Sequence, residues 1–497
     1  MASIHRWIDE RIELTSLRKN LLDRDVPSGL TWWHTLGSAT LAVFVVQVVT
    51  GIVLGMYYSP SPDHAYDSIR YLERGVASGA MLRGMHHWGA SAMVVLVIAH
   101  MIRVFTMGAY KYPREINWVL GVLLLAVVLG FGFTGYLLPW DQKAYWATQV
   151  GTNIAGTTPF VGALLVKVLR GGSQLGAATL SRFYALHVLL LPLVLGVVVA
   201  MHMVLVIRQG IAPRTNVLED GAPPRTDDPA YQQYYDTSYK RSKKAGVRFW
   251  PDIIAKDLVS AAVVIVVLAL LAYFSGAGLE PPADPSDTAY VPRPEWYFLP
   301  FFQLLKLVPG SMEAAVAVGI PGALMLALLM LPFFDRRSMR SLGHRPIAAF
   351  SMFALLGGTG LLMGQSVREF AGSAPEAGRP LTSVERSGRA LFKQQQCGSC
   401  HQVGNKKVEK KEDTPDAPVL TEVGLKHTTA WMHSYMEEPL RFHPDSKMPA
   451  FGPPTMTHQE IEEVAQYLAT LRGAEGLKKQ PDYRDTFPEP VKPKEKP

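Results

Sequence analysis

Cysteine is almost absent from this chain: two in 497 residues, Cys397 and Cys400. That scarcity excludes a fold stapled by several disulfides. Charge is scarce as well, at 18% against 48% hydrophobic residues. No internal repeat stands out, so a solenoid is not indicated. Nor does a cleavable signal peptide open the chain: the first twenty residues, MASIHRWIDERIELTSLRKN, are charged and amphipathic. Ile4, Trp7, Ile8 and Ile12 recur there at helical spacing, which predicts a helix lying on a membrane surface.

What the chain has in excess is long apolar runs. Seven stretches reach the length needed to span a bilayer, about 34–58, 83–107, 116–138, 181–207, 253–274, 313–334 and 347–365. The expected fold is therefore all-α: a polytopic membrane helical bundle of seven spans. The basic residues mark one side. Arg6, Arg11, Arg18 and Lys19 precede the first span, and Arg103, Lys111 and Arg114 lie between the second and third. Arg208, Arg214, Lys240, Arg241, Lys243, Lys244 and Arg248 lie between the fourth and fifth, and Arg336, Arg337, Arg340 and Arg345 between the sixth and seventh. All fall on the cytoplasmic side if the N-terminus is inside, and an odd number of spans then carries the C-terminus outside. The net charge of +7 thus reports topology and argues against a nucleic-acid partner. Along the chain, residues 1–210 hold four spans, 211–250 a polar loop, 251–366 three spans, 367–382 a linker and 383–475 a small soluble domain. Residues 476–497 form a charged, Pro-rich tail expected to be disordered.

Four histidines stand inside two of the apolar runs. His86 and His100 are fourteen positions apart, His187 and His202 fifteen. Each pair falls near one helix face, roughly 21–23 Å apart along the axis. A lone histidine in an apolar helix is usually a hydrogen-bonded core residue. Four at matched spacing on two helices favour two bis-histidine haem sites stacked across the bilayer. His87 breaks the spacing and His34 stands alone near a span end, so neither is given a ligand role. Gly37 and Gly51 in the first span, and Gly121 and Gly135 in the third, repeat the fourteen-residue interval. Close helix packing is one reading; clearance for a flat cofactor is the other, which the shared interval favours. Arg83 and Arg103, each three residues from a histidine, would either pair with haem propionates or snorkel to the interface. Cys397-Gly-Ser-Cys400-His401 has the spacing of a covalent c-type haem site; a disulfide between the two cysteines would be a tight ring. The run from Asn405 to Asp413 reads as a solvated loop, or less favourably as a docking patch.

These motifs, with Arg83-Gly-Met-His86-His-Trp88-Gly-Ala, His100 to Arg103, Phe131-Gly-Phe-Thr-Gly135-Tyr-Leu-Leu-Pro139-Trp140-Asp141-Gln and Pro294-Glu295-Trp296-Tyr297, resemble the cytochrome b of quinol-oxidising cytochrome bc complexes. The fifteen-residue interval, the Pro294–Tyr297 motif and the seven spans resemble the chloroplast-type (b/f) branch. There the four-span and three-span parts are separate chains; here residues 1–210 and about 240–366 resemble those two parts joined. The resemblance implies a four-helix haem-binding core with two non-covalent b haems. His86 and His187 would hold the low-potential one near the outer side, His100 and His202 the high-potential one near the inner side. It also implies that Glu295, among aromatic and apolar neighbours, accepts a proton from quinol at an outer site, with Tyr297, Tyr136, Pro139 and Trp140 around it. One departure stands out: Thr35 occupies the position of a cysteine that tethers a further haem in the chloroplast-type pattern.

Residues 383–475 resemble class I cytochrome c, with Cys397 and Cys400 attaching one covalent c haem and His401 as its proximal ligand. Met448, before a final helix expected over Thr457–Leu471, is the best distal ligand; Met432, Met436 and Met456 are the alternatives. The whole implies a proton-translocating quinol:acceptor oxidoreductase subunit in a bacterial inner membrane. Its c domain would be periplasmic, and its partners a Rieske iron–sulfur protein, quinol and quinone, a further electron-acceptor protein and a second copy of the complex. The rival is a membrane-anchored c-type carrier with a two-haem conduit and no quinol bifurcation; a non-redox anchor is a third reading, which predicts no haem.

Overall fold

The computed structural model describes residues 2–13, 15, 16, 22–280, 282, 283, 285, 294–373, 381–403 and 417–472. Two compact units divide the chain: Met1–Ala277 with Pro282–Val367, and Arg368–Pro497 with Gly278–Pro281. The basic residues Arg18 and Lys19, the Asn405–Asp413 run and the 476–497 tail lie outside the described residues.

The first unit is helical. After α1 (Ala2–Ile12) come the spans α2 (Trp32–Tyr57), α4 (Gly79–Thr106), α5 (Glu115–Tyr136), α8 (Ala177–Gln209), α10 (Phe249–Ser275), α12 (Ala315–Phe334) and α13, whose apolar stretch is Pro346–Glu369. Between them lie the shorter α3 (Ala65–Gly75), α6 (Gln142–Gly156), α7 (Gly162–Arg170), α9 (Pro229–Lys244) and α11 (Leu299–Lys306). Seven candidate spans are present among the described residues. Their apolar side chains are widely exposed, Ile52, Leu189, Val263, Ile347 and Phe350 among them. Such a surface is stable only against lipid or further protein. Two segments expected to be irregular are partly helical: α9 crosses the 211–250 loop, and α13 continues to Ser373, inside the stretch expected to be a linker.

Where α8 carries His187, the helix widens to a π turn over Leu186–Leu190, just before Pro192. Proline lacks the N–H that would close a normal turn, and a π turn absorbs one extra residue without shifting the face that follows. The fifteen-residue interval on α8 thus delivers the same two-depth register as the fourteen-residue interval on α4.

At one end of the bundle the spans are clasped by buried polar groups. Arg340, 1% exposed, donates to Gly108 O (2.7 Å), Tyr112 O (2.8 Å) and Tyr231 Oη (3.1 Å). Lys111 Nζ reaches Asp335 Oδ1 (2.7 Å) and the carbonyls of Arg337 and Met339; burial pushes its amine down to about 8. Arg345 donates to Tyr110 Oη (2.9 Å) and Phe105 O (2.7 Å). A two-residue antiparallel ribbon, Asp25–Val26 on Val247–Arg248, ties the segment before α2 to the start of α10. Trp118 Nε1 donates to Leu328 O (2.6 Å), and Trp88 Nε1 to Gly276 O (2.7 Å). Arg340, Lys111 and Arg345 therefore lock the last three spans to the first four.

The second unit holds α14 (Ser383–Gln394), α15 (Thr429–Glu437) and α16 (His458–Ala469) around a core of Phe392, Val423, Met432, Met436, Met456, Ile461, Val464 and Leu468. α14 crosses α16 at Gly388, where a Cβ would lie 1.9 Å from Glu463 O. Thr457 caps α16 and exchanges hydrogen bonds with Glu460.

Arg340→Ala would remove the guanidinium hydrogen bonds to Gly108 O, Tyr112 O and Tyr231 Oη and leave a cavity in their place; each lost bond to a charged donor is worth about 1.5–3 kcal/mol. The variant is expected to lose about 2–4 kcal/mol of stability, read as a lower unfolding temperature of the purified full chain with its visible spectrum unchanged before unfolding.

Candidate haem and quinol sites

The four glycines meet the four histidines one to one. A Cβ on Gly37 would lie 3.2 Å from His100 Cε1, and one on Gly51 3.2 Å from His86 Cε1. On Gly121 it would lie 3.8 Å from His202 Cε1, and on Gly135 2.5 Å from His187 Cε1. α2 is thus the glycine partner of α4, and α5 of α8. The clearance serves the edge of each imidazole, a more specific role than room for a flat cofactor.

At the His86–His187 level the rings face each other with centroids 6.3 Å apart at an interplanar angle of 71°. Two imidazoles bonded to one metal ion at roughly 2 Å each need about this separation. Thr50 Oγ1 donates to Val46 O (2.7 Å), so it accepts from His86 Nδ1 at 2.9 Å. Thr134 Oγ1 donates to Gly130 O (2.8 Å) and accepts from His187 Nδ1 at 3.0 Å. Both rings then carry their proton on Nδ1 and leave the Nε2 lone pair for iron. Sequence reasoning missed these threonines, although each immediately precedes a glycine of the fourteen-residue set. The other level has no such pair of hydroxyl acceptors: Leu36 and Leu120 precede Gly37 and Gly121. There His100 and His202 line a cavity with Gly37, Gly121, Arg103 and Asp257, and His100 Nδ1 is buried without a hydrogen-bond partner. Paired imidazoles, each cleared by a glycine of the neighbouring helix, fit haem iron at both levels.

The arginines divide. Arg103 lines that cavity and donates to Trp33 O (3.3 Å). Arg83 is ion-paired with Glu73 and donates to Ala277 O (2.8 Å). Thr35 turns its hydroxyl into the wall, donating to Trp32 O (2.8 Å) and accepting from Ser260 Oγ (2.7 Å). His34 contacts Thr31 at the start of α2, as a structural residue would.

Glu295 stands directly before the short Trp296–Phe298 turn, but its side chain does not cap it. Its Oε1 pairs with Lys143 Nζ at 2.9 Å. That ammonium also lies 5.0 Å from the centroid of the Tyr136 ring, so the structure brings Glu295 and Tyr136 together through a lysine absent from the sequence-based expectations. Lys143 occupies the first turn of α6, where the helix dipole disfavours a cation; the carboxylate and the ring hold it there. The chain turns sharply before it, with Trp140 at φ 51° and Asp141 Oδ1 accepting from Ala144 N at 2.8 Å. Trp140 itself is buried with Leu137, Leu180 and Phe183, behind the pair. Trp296 Nε1 donates to Ser91 Oγ (3.1 Å). Tyr297 Oη lies where a Cβ on Gly132 would stand, at 2.7 Å. Burial, then the Glu295 charge, pushes the Tyr297 phenol well above its ordinary value, so it remains a proton donor. His87 stacks edge-on against Trp88, within reach of the charges of Glu295, Arg83 and Lys143.

In the second unit Cys397 and Cys400 are free thiols on one turn. Burial raises the Cys397 thiol to about 11. His401 Nδ1 meets Pro418 O at 2.9 Å, which places a proton there and frees Nε2. Met432, Met436 and Met456 are buried in the core, whereas Met448 is half-buried at its edge. That favours Met448 among the four.

Residues 21–210 match the family profile for cytochrome b/b6/petB, residues 282–373 that for cytochrome b (C-terminal)/b6/petD, and residues 386–472 that for cytochrome c. The menaquinol:cytochrome c reductase cytochrome b subunit of Bacillus subtilis is 45% identical over 217 residues, covering 42% of this chain and 97% of that protein. The cytochrome bc complex cytochrome b subunit of Chlorobaculum thiosulfatiphilum is 35% identical over 356 residues, covering 70% of this chain and 77% of the relative. A chain of a hyperthermophilic respiratory Complex III superposes with a TM-score of 0.62 at 29% identity, covering 73% of this chain and 91% of that one.

The glycine distances separate two substitutions. Gly135→Val would force the His187 ring aside, whereas Gly121→Ala meets ordinary contact. The first is expected to lower the b-to-c haem ratio by about half in a pyridine haemochrome assay, and the second to leave it unchanged.

Proposed function

We propose that this chain, which belongs to the cytochrome b family of cytochrome bc complexes and carries a fused cytochrome c domain, oxidises quinol at an outer site and returns part of the electrons across the membrane. The observation that carries the reading is the facing His86–His187 pair at 6.3 Å, each ring fixed by a threonine, with a second histidine pair one register away on the same helices. When bound, two b haems and one c haem supply one-electron carriers at two depths in the membrane and in the C-terminal unit. His86 with His187, His100 with His202, and His401 with Met448 would hold the irons, and Cys397 and Cys400 would carry the thioethers.

The remaining chemistry belongs to side chains. Lys143 pairs with Glu295 through Oε1, which leaves Oε2 to take a proton from a quinol hydroxyl. Protonation removes the charge that binds Lys143, so the pair loosens and Glu295 can pass the proton outward. Tyr297, kept protonated by its surroundings, donates a hydrogen bond to the substrate oxygen. Trp296 and Trp140 exclude water from the pocket. At the inner level, Arg103, Ser38 and Asp257 face the cavity, where quinone would be reduced.

A Rieske iron–sulfur protein would take one electron from each quinol, the C-terminal unit would pass electrons to a further acceptor protein, and two copies would assemble in the complex. The distribution of basic residues supports a cytoplasmic N-terminus, and with seven spans the c domain would lie on the periplasmic side of a bacterial inner membrane. Proton release outside and uptake inside would follow.

Purified full-length chain is expected to give two b haems per c haem, with covalent haem stain at full length on a denaturing gel. Glu295→Gln should slow quinol-dependent cytochrome c reduction by about 100-fold, the usual contribution of a general base, with the haem ratio unchanged. Undiminished turnover would remove Glu295 from the chemistry and favour a conduit without quinol oxidation.

A further inference from the structure

A cluster with no part in the electron path lies in the C-terminal unit, where α15 and α16 face each other. His433 and Glu437 stand one turn apart on α15, and His458 and Glu462 one turn apart on α16. Glu437 Oε1 lies 3.3 Å from a nitrogen of His433, Nε2, and is also bonded to His458 Nδ1. One donor atom from each of these three residues lies within 4.8 Å of the other two. On its far side, His433 Nδ1 meets Glu462 Oε2 at 3.1 Å. The two imidazole rings are nearly parallel, with an interplanar angle of 6°.

We propose that His433, Glu437 and His458 bind a divalent transition cation of the zinc class, with Glu462 orienting His433. The argument begins with the proton count. A neutral His433 that donates Nδ1–H to Glu462 presents a lone pair at Nε2, and that lone pair faces a carboxylate oxygen, another acceptor. Something positive belongs between them, either a proton on Nε2 or a metal ion. Geometry and donor type favour the metal. Bonds of about 2.0–2.2 Å in a tetrahedral site put donors roughly 3.3–3.5 Å apart, which the His433 Nε2 to Glu437 Oε1 separation matches; the exposed His458 ring, now hydrogen-bonded to the same oxygen, would draw back to admit the ion. Two imidazoles and one carboxylate suit zinc and exclude magnesium and calcium, which take oxygen sets. A carboxylate accepting the second ring N–H of a ligating histidine is the usual support of such sites. His458 is exposed, so the fourth position opens to water. The cation would join Glu437 to His458, the two residues that bracket the segment carrying Met448.

The test uses the detergent-solubilised full-length holoprotein, stripped with a chelator and dialysed against zinc alone. Wild type is expected to take up one more zinc per chain than Glu437→Gln. Glu462→Gln should keep the stoichiometry but weaken binding by about 10–100-fold. The zinc-edge X-ray absorption spectrum should show two imidazoles per ion, and an unchanged c-haem absorption band in both variants would show that the domain stays folded. Equal uptake and affinity in wild type and Glu437→Gln, or no uptake by wild type, would overturn the proposal and leave His433 as a protonated bridge between two carboxylates.

Discussion

Ionisable side chains are costly inside a bilayer, and this chain has to hold four imidazoles inside one. Most of the membrane unit follows from that demand. Each histidine needs a neighbouring helix close enough to exclude lipid yet without a side chain where the ring lies, and a glycine one helix away meets it every time. The result is two helix pairs, α2 with α4 and α5 with α8, each pair carrying two glycines on one member and two histidines on the other. Neither pair alone brings two histidines together; His86 and His187 approach each other only where the pairs meet. The Thr50 and Thr134 hydroxyls settle the proton on the upper imidazoles without introducing a charge.

Much of this was legible in the chain. Spans are set by length and hydropathy, which a sequence displays directly, and the histidine and glycine intervals translate into depth through the helical rise alone. What was not legible depends on direction. The interval shows that Gly135 and His187 lie at one depth, but not that one faces the other. The extra residue between His187 and His202 looked like a difference between branches of a family; Pro192, which forces the wider turn, was present as its physical cause. Lys143 was invisible because its partner lies 152 positions away, and nothing near it in the chain calls for a cation. The inner basic residues were read as topology signals alone, because burial of Arg340 and Lys111 is a property of loops meeting from opposite ends of the chain.

The two halves of the membrane unit meet at several depths, and each seam uses a different interaction. At one end it is the Arg340, Lys111 and Arg345 clasp on backbone carbonyls and Asp335. Elsewhere it is indole N–H to carbonyl, from Trp88 on α4 and Trp118 on α5. On α4 it is close approach, Gly84 against Ala272 of α10, where a Cβ would come within 2.9 Å. An arrangement in which the three-span part floats free of the four-span part is inconsistent with these contacts. Joining both parts in one polypeptide removes the cost of bringing them together.

Thr35 shows how a departure from a family pattern can be structural rather than merely a loss. The resemblance places a haem-tethering cysteine there, and a hydroxyl cannot form a thioether. In this chain the hydroxyl accepts from Ser260 on α10 while donating to its own turn at Trp32, and Ser38, one turn on, donates to Asp257 at 2.6 Å. Two hydrogen bonds thereby join α2 to α10 beside the cavity of His100 and His202. Inside a bilayer such polar contacts between helices are each worth roughly 1 kcal/mol, and they leave the residue at position 35 pointing into a helix interface. A haem near this wall would have to be held without a bond to the protein at that position, and it would compete for Ser38 and Asp257, the polar groups an inner quinone would use.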